Sequence, residues 1–277
     1  MLKVITLAAI SVLSITQANA ITPCSTNKQI NNFNHSIIFN NTVRGDVREQ
    51  ESVMTGTGDN GDQLSGQTKY QYNRCGELID FASEYQSLGK NTELKMIFTA
   101  AKTTDGWQVK YDVSVLGTKE GKNEVVYQKI GSPQYYTDKT GKITHSEDNF
   151  IENGKQGVTK MDFYSDSQDR LISYTTRGDD KLMNGKHRYF YQPEGPLFSV
   201  IAPNTSASYV YDQQGRDLQF IGLAVNDYSL RSTQVDCQKW DSGGSCLYAV
   251  SSEIEIYPYS VVKRDSVIKT NINYWND

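Results

Sequence analysis

A twelve-residue pattern recurs five times and constrains the fold more than any other feature of the sequence. Each copy opens on an aromatic residue, carries Asn, Asp or Gln three positions later, and three positions further on carries Gly or, once, Asp. In four copies an apolar residue follows two positions after that. The copies begin at Tyr70, Tyr135, Phe163, Tyr189 and Tyr209.

The spacing of this pattern matches the chemistry of a tight turn. Asp or Asn is favoured at the first position of a type I turn, where its side chain bonds the backbone, and Gly is favoured at the fourth. A left-handed fourth residue then forms a bulge that suits the twist of a hairpin. Asp169 replaces the Gly in one copy, and Asp tolerates the left-handed region better than most residues. Each copy therefore predicts a strand, a turn and a second strand.

The copies resemble YD repeats, the repeats of RHS-type proteins, whose signature runs Tyr-X-Tyr-Asp-X-X-Gly-Arg-Leu. Tyr209–Arg216 (YVYDQQGR) matches this signature best, followed by Tyr70–Leu78. The copies start 65, 28, 26 and 20 residues apart, which is less regular than the arrays of the family. The resemblance implies a short, irregular array of β-hairpins.

The rest of the sequence also predicts β structure. Trp107–Val113 and Ile254–Tyr257 alternate in polarity, and no long segment has a convincing period of 3.6 residues. Met54–Gln67 is rich in Gly, Thr and Asp and predicts a loop. The expected fold is all-β, with antiparallel hairpins and a meander in an open sheet, a sandwich or a barrel. Residues 21–277 are expected to form a single domain, with the repeats at about 70–81 and 135–220.

The first twenty residues have the composition of a cleaved secretory signal peptide. Lys3 is followed by the apolar stretch Val4–Ile15 and by Ala18-Asn19-Ala20, whose small residues suit a signal peptidase. The apolar stretch is shorter than the roughly 20 residues that span a bilayer. We therefore predict signal peptide 1–20 and a periplasmic or secreted protein.

The four cysteines are expected to form two disulfides, because an exported chain meets an oxidising compartment. Four cysteines allow three pairings. We favour Cys237 with Cys246, which bracket a turn at 241–244, and Cys24 with Cys75. These separations match no zinc template.

Charge and hydropathy exclude several classes of protein. The formal net charge of −4 argues against nucleic-acid binding, for which a basic stripe is expected. After the first twenty residues the sequence contains no run of 18 apolar residues, so it predicts no transmembrane helix there. An outer-membrane barrel is disfavoured because Lys, Asp and Glu interrupt the strands and the sequence does not end on an aromatic residue.

A search for catalytic motifs assigns no catalytic, cofactor-binding or metal-binding residue. His145 and His187 are expected on solvent-facing positions, and His35 has no flanking ligand. No nucleophile elbow, zinc-protease helix or phosphate-binding Gly loop is present. Asp59–Asp62 (DNGD) predicts a turn, because it lacks the ligand pattern of a calcium loop.

These observations favour a non-enzymatic binding or interaction module of the cell envelope. Tyrosine-rich hairpins offer rigid amphipathic surface, and an unidentified envelope protein or glycan is the expected partner. An inhibitor or immunity-type protein is one form of this hypothesis. Two alternatives stay open: a hydrolase of envelope polysaccharide with two converging carboxylates, one of raised pKa, and a structural repeat protein.

Overall fold

The computed structural model describes residues 27–39, 44–119, 122–193 and 195–275. The predicted signal peptide 1–20 and Cys24 lie outside these residues. The described residues form one helix and 17 strands. The helix is α1 (Lys28–Phe39), and the strands are β1 (Val47–Gly58), β2 (Gln63–Tyr72), β3 (Leu78–Leu88), β4 (Thr92–Lys102), β5 (Gly106–Lys119), β6 (Lys122–Gly131), β7 (Gln134–Thr137), β8 (Ile143–Glu152), β9 (Lys155–Ser165), β10 (Leu171–Gly178), β11 (Gly185–Tyr191), β12 (Leu197–Ile201), β13 (Thr205–Tyr211), β14 (Asp217–Val225), β15 (Leu230–Trp240), β16 (Cys246–Tyr257) and β17 (Ser260–Tyr274).

The strands form one closed antiparallel barrel. Apart from β6 and β7, each strand pairs with its neighbours in the chain, and β17 pairs with β1 to complete the circle. The strand β6 and the four-residue strand β7 share one place, because both pair with β5 and with β8. The barrel therefore has sixteen strand positions. This confirms the all-β class and selects the barrel among the expected arrangements.

All five predicted hairpins form, and their turns lie at the same end of the barrel. Successive strands of a meander alternate in direction, so every second turn is at the same end. We call this end the Asx rim. It holds the turns at 73–76, 103–106, 138–141, 166–169, 192–195, 212–215 and 241–244. The irregular spacing of the copies follows from strands of unequal length and from the intervening turn at 103–106, which lacks the pattern.

The turns that begin with Asn or Asp have the predicted geometry, whereas the turn at Gln192 shows only the backbone bond from the N–H of Gly195 to the carbonyl of Gln192 at 3.0 Å. Asp212 Oδ1 accepts bonds from the backbone N–H groups of Gln214 and Arg216, each at 2.9 Å. The N–H of Gly215 donates to the carbonyl of Asp212 at 3.0 Å. The same pair of side-chain bonds forms at Asn73, Asp138, Asp166 and Asp241. Asp169 has a φ of 56°, as expected for a residue that stands in for glycine.

Alternate residues face the two sides of the barrel wall. On β2, Leu64 and Tyr72 face inward and are buried, whereas Lys69 faces outward and pairs with Glu49 of β1 at 2.7 Å. The prediction of a loop at Met54–Gln67 was wrong. This segment belongs to β1, a turn at 58–63 and β2, because partners on both sides supply the ladder that its Gly and Thr residues do not favour locally.

The aromatic residues that open the copies face the interior and build the core. The Tyr135 and Phe163 rings have centroids 6.2 Å apart, and Phe163 lies 5.5 Å from Tyr174, which in turn lies 6.2 Å from Tyr189. Tyr209 contacts Phe220 at 5.3 Å. These rings therefore pack the barrel itself and form a layer next to the Asx rim.

Helix α1 was not predicted. Its sequence, KQINNFNHSIIF, holds three Asn residues, which favour caps and turns over helix interiors. Asn27 caps it, since Asn27 Oδ1 accepts the N–H of Ile30 at 2.8 Å. Phe33 and His35 are buried inside the barrel. Burial against the inner wall stabilises this helix where the residues alone do not. Among the described residues, no helix has the length and apolar character needed to cross a membrane.

The Asx turns give the first testable prediction. Asp166→Ala removes the acceptor of two backbone N–H groups and of Arg170 Nε, so it should lower the free energy of unfolding by about 1–3 kcal/mol. Asp166→Asn keeps one acceptor oxygen and should cost less than about 1 kcal/mol. Urea unfolding followed by circular dichroism measures both. Equal losses for Ala and Asn would contradict the role of the side-chain oxygen.

Candidate binding cavity

Helix α1 is fastened to one side of the barrel interior. Asn34 is fully buried, and its Nδ2 donates to the carbonyl of Gly141 at 2.9 Å while its Oδ1 accepts the N–H of Ile143 at 2.9 Å. Asn31 donates to the carbonyl of Cys75 at 2.7 Å. All three backbone groups lie at or next to Asx turns. The helix therefore lies just inside the Asx rim and contacts the β2–β3 and β7–β8 hairpins.

Aromatic contacts hold the end of the helix against the same side. The Phe39 ring lies 4.3 Å from that of Phe81 and 5.2 Å from that of Tyr70. The His35 ring lies 5.3 Å from that of Tyr72. Because the helix packs against this side, it fills the barrel unevenly.

The opposite side of the interior holds a cavity of about 770 Å³. One wall is the face of α1 that points away from the strands that hold the helix. The other wall is the inner face of β11–β17 together with β1. The wall is mainly apolar and aromatic; its apolar residues include Phe33, Phe39, Val47, Tyr191, Leu197, Tyr209, Tyr211, Phe220, Val235, Ala249, Ile268 and Ile272. At the Asx rim the lining residues include Gln168, Asp169 and Gly195. The cavity thus extends inward from that rim and has the size and lining of a small-molecule site.

The hydroxyl groups of two wall tyrosines are bonded to the barrel. Tyr191 donates to the carbonyl of Leu171 at 3.0 Å, and Tyr211 donates to the carbonyl of Leu197 at 2.6 Å. Each ring is therefore held at a fixed angle against the cavity. Burial raises the pKa of both hydroxyls to about 12, so they stay protonated at neutral pH.

The three histidines lie in different environments, and only one of the two that were expected to be exposed is exposed. His145 is exposed, as predicted. His187 was expected to be exposed and is instead buried and stacked on Tyr174, with ring centroids 4.1 Å apart. The register turns Lys186 and Arg188 outward and His187 inward, and burial lowers its pKa. None of the three lines the cavity.

A separate polar cluster involves residues of β5, β6 and β8 and the segment after β10. Tyr111 donates to Asp148 Oδ2 at 2.8 Å, and Lys129 forms an ion pair with Asp180. Burial raises the pKa of the Asp148 carboxyl, and Asp180 adds to that effect. This is the kind of carboxylate pair that the hydrolase hypothesis requires. Neither aspartate is among the described residues that line the cavity or a second, shallower one of about 660 Å³ beside β4–β9.

The Cys237–Cys246 disulfide is confirmed and joins β15 to β16 across the turn at 241–244. Both cysteines lie on the cavity wall. Cys75 is also disulfide-bonded, but its predicted partner Cys24 lies outside the described residues. No cluster of metal-binding side chains occurs in the described part of the chain.

The sequence did not identify the cavity residues or Asn34. The inward residues of β13–β16 could have been recognised by alternation, as in Tyr209 and Tyr211 or Val235 and Cys237. Nothing local in the sequence marks which inward residues contact α1 and which stay uncovered.

Comparisons with known proteins show no shared family. No family model and no curated protein matches the chain. Among solved structures, a porin-like protein from Bacteroides uniformis ATCC 8492 is 11% identical, with 83% of this chain and 98% of that chain covered and a TM-score of 0.43. Kievitone hydratase from Nectria haematococca is 10% identical, with 83% and 90% covered and a TM-score of 0.21. The TcdB2-TccC3-TEV structure is 9% identical, with 71% and 15% covered and a TM-score of 0.20. The resemblance to YD repeats stays a prediction.

Replacing Asn34 tests the attachment of the helix. Asn34→Ala leaves a buried N–H and a carbonyl without their partners, so the free energy of unfolding should fall by about 2–3 kcal/mol. Asn32→Ala is the matched control, because the Asn32 side chain lines the cavity and should cost less than about 0.5 kcal/mol. Urea unfolding measures both. An equal loss in the two variants would show that the two Asn34 bonds do not anchor α1.

Burial of His35 makes stability depend on pH. Burial lowers the pKa of His35 from 6.5 to about 4, and neither ring nitrogen has a hydrogen-bond partner among the described residues. Between these values the unfolded chain binds a proton that the folded chain does not. Above pH 6.5, His35 is neutral in both states and does not lower the free energy of unfolding. As the pH drops from 6.5 towards 4, the free energy of unfolding falls by about 1.4 kcal/mol per pH unit because of this residue.

The His35 effect is isolated by comparison with His35→Gln, which does not titrate. As the pH falls through this window, we expect the free energy of unfolding of wild type to fall relative to that of the variant. The expected relative change is on the order of 3 kcal/mol. Urea unfolding at several pH values gives this difference. Parallel curves for the two proteins would contradict it.

Proposed function

We propose that this protein is an exported, non-enzymatic binding module that holds a small, largely apolar ligand inside its barrel. The observation that carries the proposal is the cavity of about 770 Å³ left between α1 and the inner face of β11–β17. Ligand sites in proteins are concave and mostly apolar, with a few polar groups, and have volumes of about 300–1,000 Å³. The cavity meets each criterion and is reached from the Asx rim.

The rigidity of the wall supports a binding role. The disulfide, the ring contact between Tyr209 and Phe220 and the bonded hydroxyl of Tyr211 fix the wall before any ligand arrives. A site that is already ordered loses less conformational entropy on binding.

The outer face carries ion pairs as well as exposed apolar side chains such as Val53 and Ile97, and the ion pairs favour contact with water. Ion pairs such as Lys69–Glu49 and Lys95–Glu84 lie on the outside of β1–β4. A Lys or Arg facing lipid at the bilayer midplane costs about 2–4 kcal/mol. The disulfide and the predicted signal peptide fit the periplasm or the extracellular space. An inhibitor or immunity-type role, and a protein or glycan partner, remain hypotheses from the sequence.

Binding is favoured over hydrolysis by the position of the carboxylates. A hydrolase needs substrate to reach two carboxyl groups, and neither Asp148 nor Asp180 is among the residues that line the two described cavities, although Tyr111, which bonds Asp148, lines the second. In the cavity, the lining carboxylates Asp169 and Asp217 are each held in an ion pair.

Binding of the uncharged fluorescent probe N-phenyl-1-naphthylamine tests the proposal. The probe should bind the folded protein at a single site with a marked rise in fluorescence. Val235→Trp fills the cavity and should weaken binding at least about tenfold, because the probe then meets an occupied site. Gln234→Trp, on the same strand but facing outward, should leave binding unchanged.

Two results would overturn the proposal. Absence of saturable probe binding by the folded wild-type protein would do so. Equal binding by the two Trp variants would do so as well, since the site would then lie elsewhere.

A further inference from the structure

Every charged side chain among the described residues that line the cavity already has a partner of opposite charge. Arg44 pairs with Asp217 at 2.9 Å. Arg170 pairs with Asp166 at 2.7 Å, and Asp169 pairs with Lys142 at 2.9 Å. The cavity wall therefore offers no uncompensated charge among its described residues.

Further contacts hold these arginines in place. The other terminal nitrogen of Arg44 donates to the carbonyl of Gly215 at 2.7 Å. The guanidinium of Arg170 lies 4.6 Å from the centroid of the Tyr191 ring. A charged ligand would have to break one of these pairs or enter an apolar cavity without a counter-charge, and both cost free energy.

The cavity also offers a neutral polar group. Gln50 faces inward on β1, between Tyr70 and Ile272 of the neighbouring strands, and lines the cavity. Its carboxamide has no hydrogen-bond partner among the described residues. A carboxamide can donate to or accept from a hydroxyl, carbonyl or amide group without any charge.

We infer that the ligand is uncharged, with an apolar body and a neutral hydrogen-bonding group. This inference rests on the function proposed above and adds the chemical class of the ligand. The apolar body lies against Phe220, Val235 and Ile268, and the neutral group meets Gln50.

Displacement of N-phenyl-1-naphthylamine by three competitors that share a ten-carbon chain tests the inference. The competitors are 1-decanol, decanoate and decyltrimethylammonium, compared at pH 7.5. We expect 1-decanol to displace the probe from wild type at a concentration at least about tenfold lower than either ion, because only the alcohol leaves the ion pairs intact. Gln50→Leu should weaken 1-decanol by about threefold to tenfold, with probe binding retained.

A pair of charge variants separates this effect from the greater hydrophobicity of the alcohol. Asp217→Asn frees Arg44, so decanoate should gain about tenfold relative to 1-decanol. Arg44→Gln frees Asp217, so the cation should gain instead. Asp212→Asn is the control, because it weakens a similar ion pair with Arg216 outside the cavity lining and keeps the turn acceptor. Its competitor ratios should equal those of wild type.

The outcomes are distinct from those of the proposed function. If the probe binds but decanoate displaces it as well as 1-decanol does, the ligand class is wrong and the binding cavity stands. The ligand class is also wrong, and the binding cavity stands, if neither Asp217→Asn nor Arg44→Gln changes the ratio of the competitor concentrations that displace the probe. If the probe does not bind wild type, the proposed function fails, and the inference fails with it.

Discussion

The ladder between β1 and β17 is the interaction on which the rest of the structure depends. Val47–Gly58 pairs antiparallel with Arg264–Tyr274, and the hydroxyls of Ser52 and Thr270 lie 2.9 Å apart across it. This pairing turns a meander into a tube, so that one face of every strand becomes an interior. It also fixes the register, since a shift by one residue would exchange the inward and outward side chains. The core, the helix site and the cavity all require this closure.

The cavity follows from an imbalance within that interior. A barrel of this circumference encloses more space than its own side chains fill. Helix α1 fills part of it, but Asn31 and Asn34 fasten the helix to the β2–β3 and β7–β8 hairpins. The inner face of the later strands stays uncovered. The side chains that line this space are mainly apolar, and its charged side chains are held in ion pairs.

The sequence predicted the local parts of this structure and missed the non-local ones. The turns at Asp138, Asp166 and Asp212 were found because their geometry depends on a few consecutive residues. The Cys237–Cys246 bridge was found because a turn brings its ends together. Helix α1 and the strand character of 54–67 were missed, because each is stabilised by partners that are distant in the chain. His187 was misplaced for a related reason: its inward direction depends on the register with β10.

Closure also determines how such a chain must fold. Neighbouring hairpins can form one after another along the chain, but the first and last strands must meet across nearly the whole of it. Contacts of such high sequence separation slow folding, because the entropy of a long loop is lost before the contact forms. Until then β1 and β17 each present an unpaired edge, which invites pairing with other chains. We therefore expect the pairing that closes the barrel and creates the cavity to be a slow step of its assembly and one that is sensitive to aggregation.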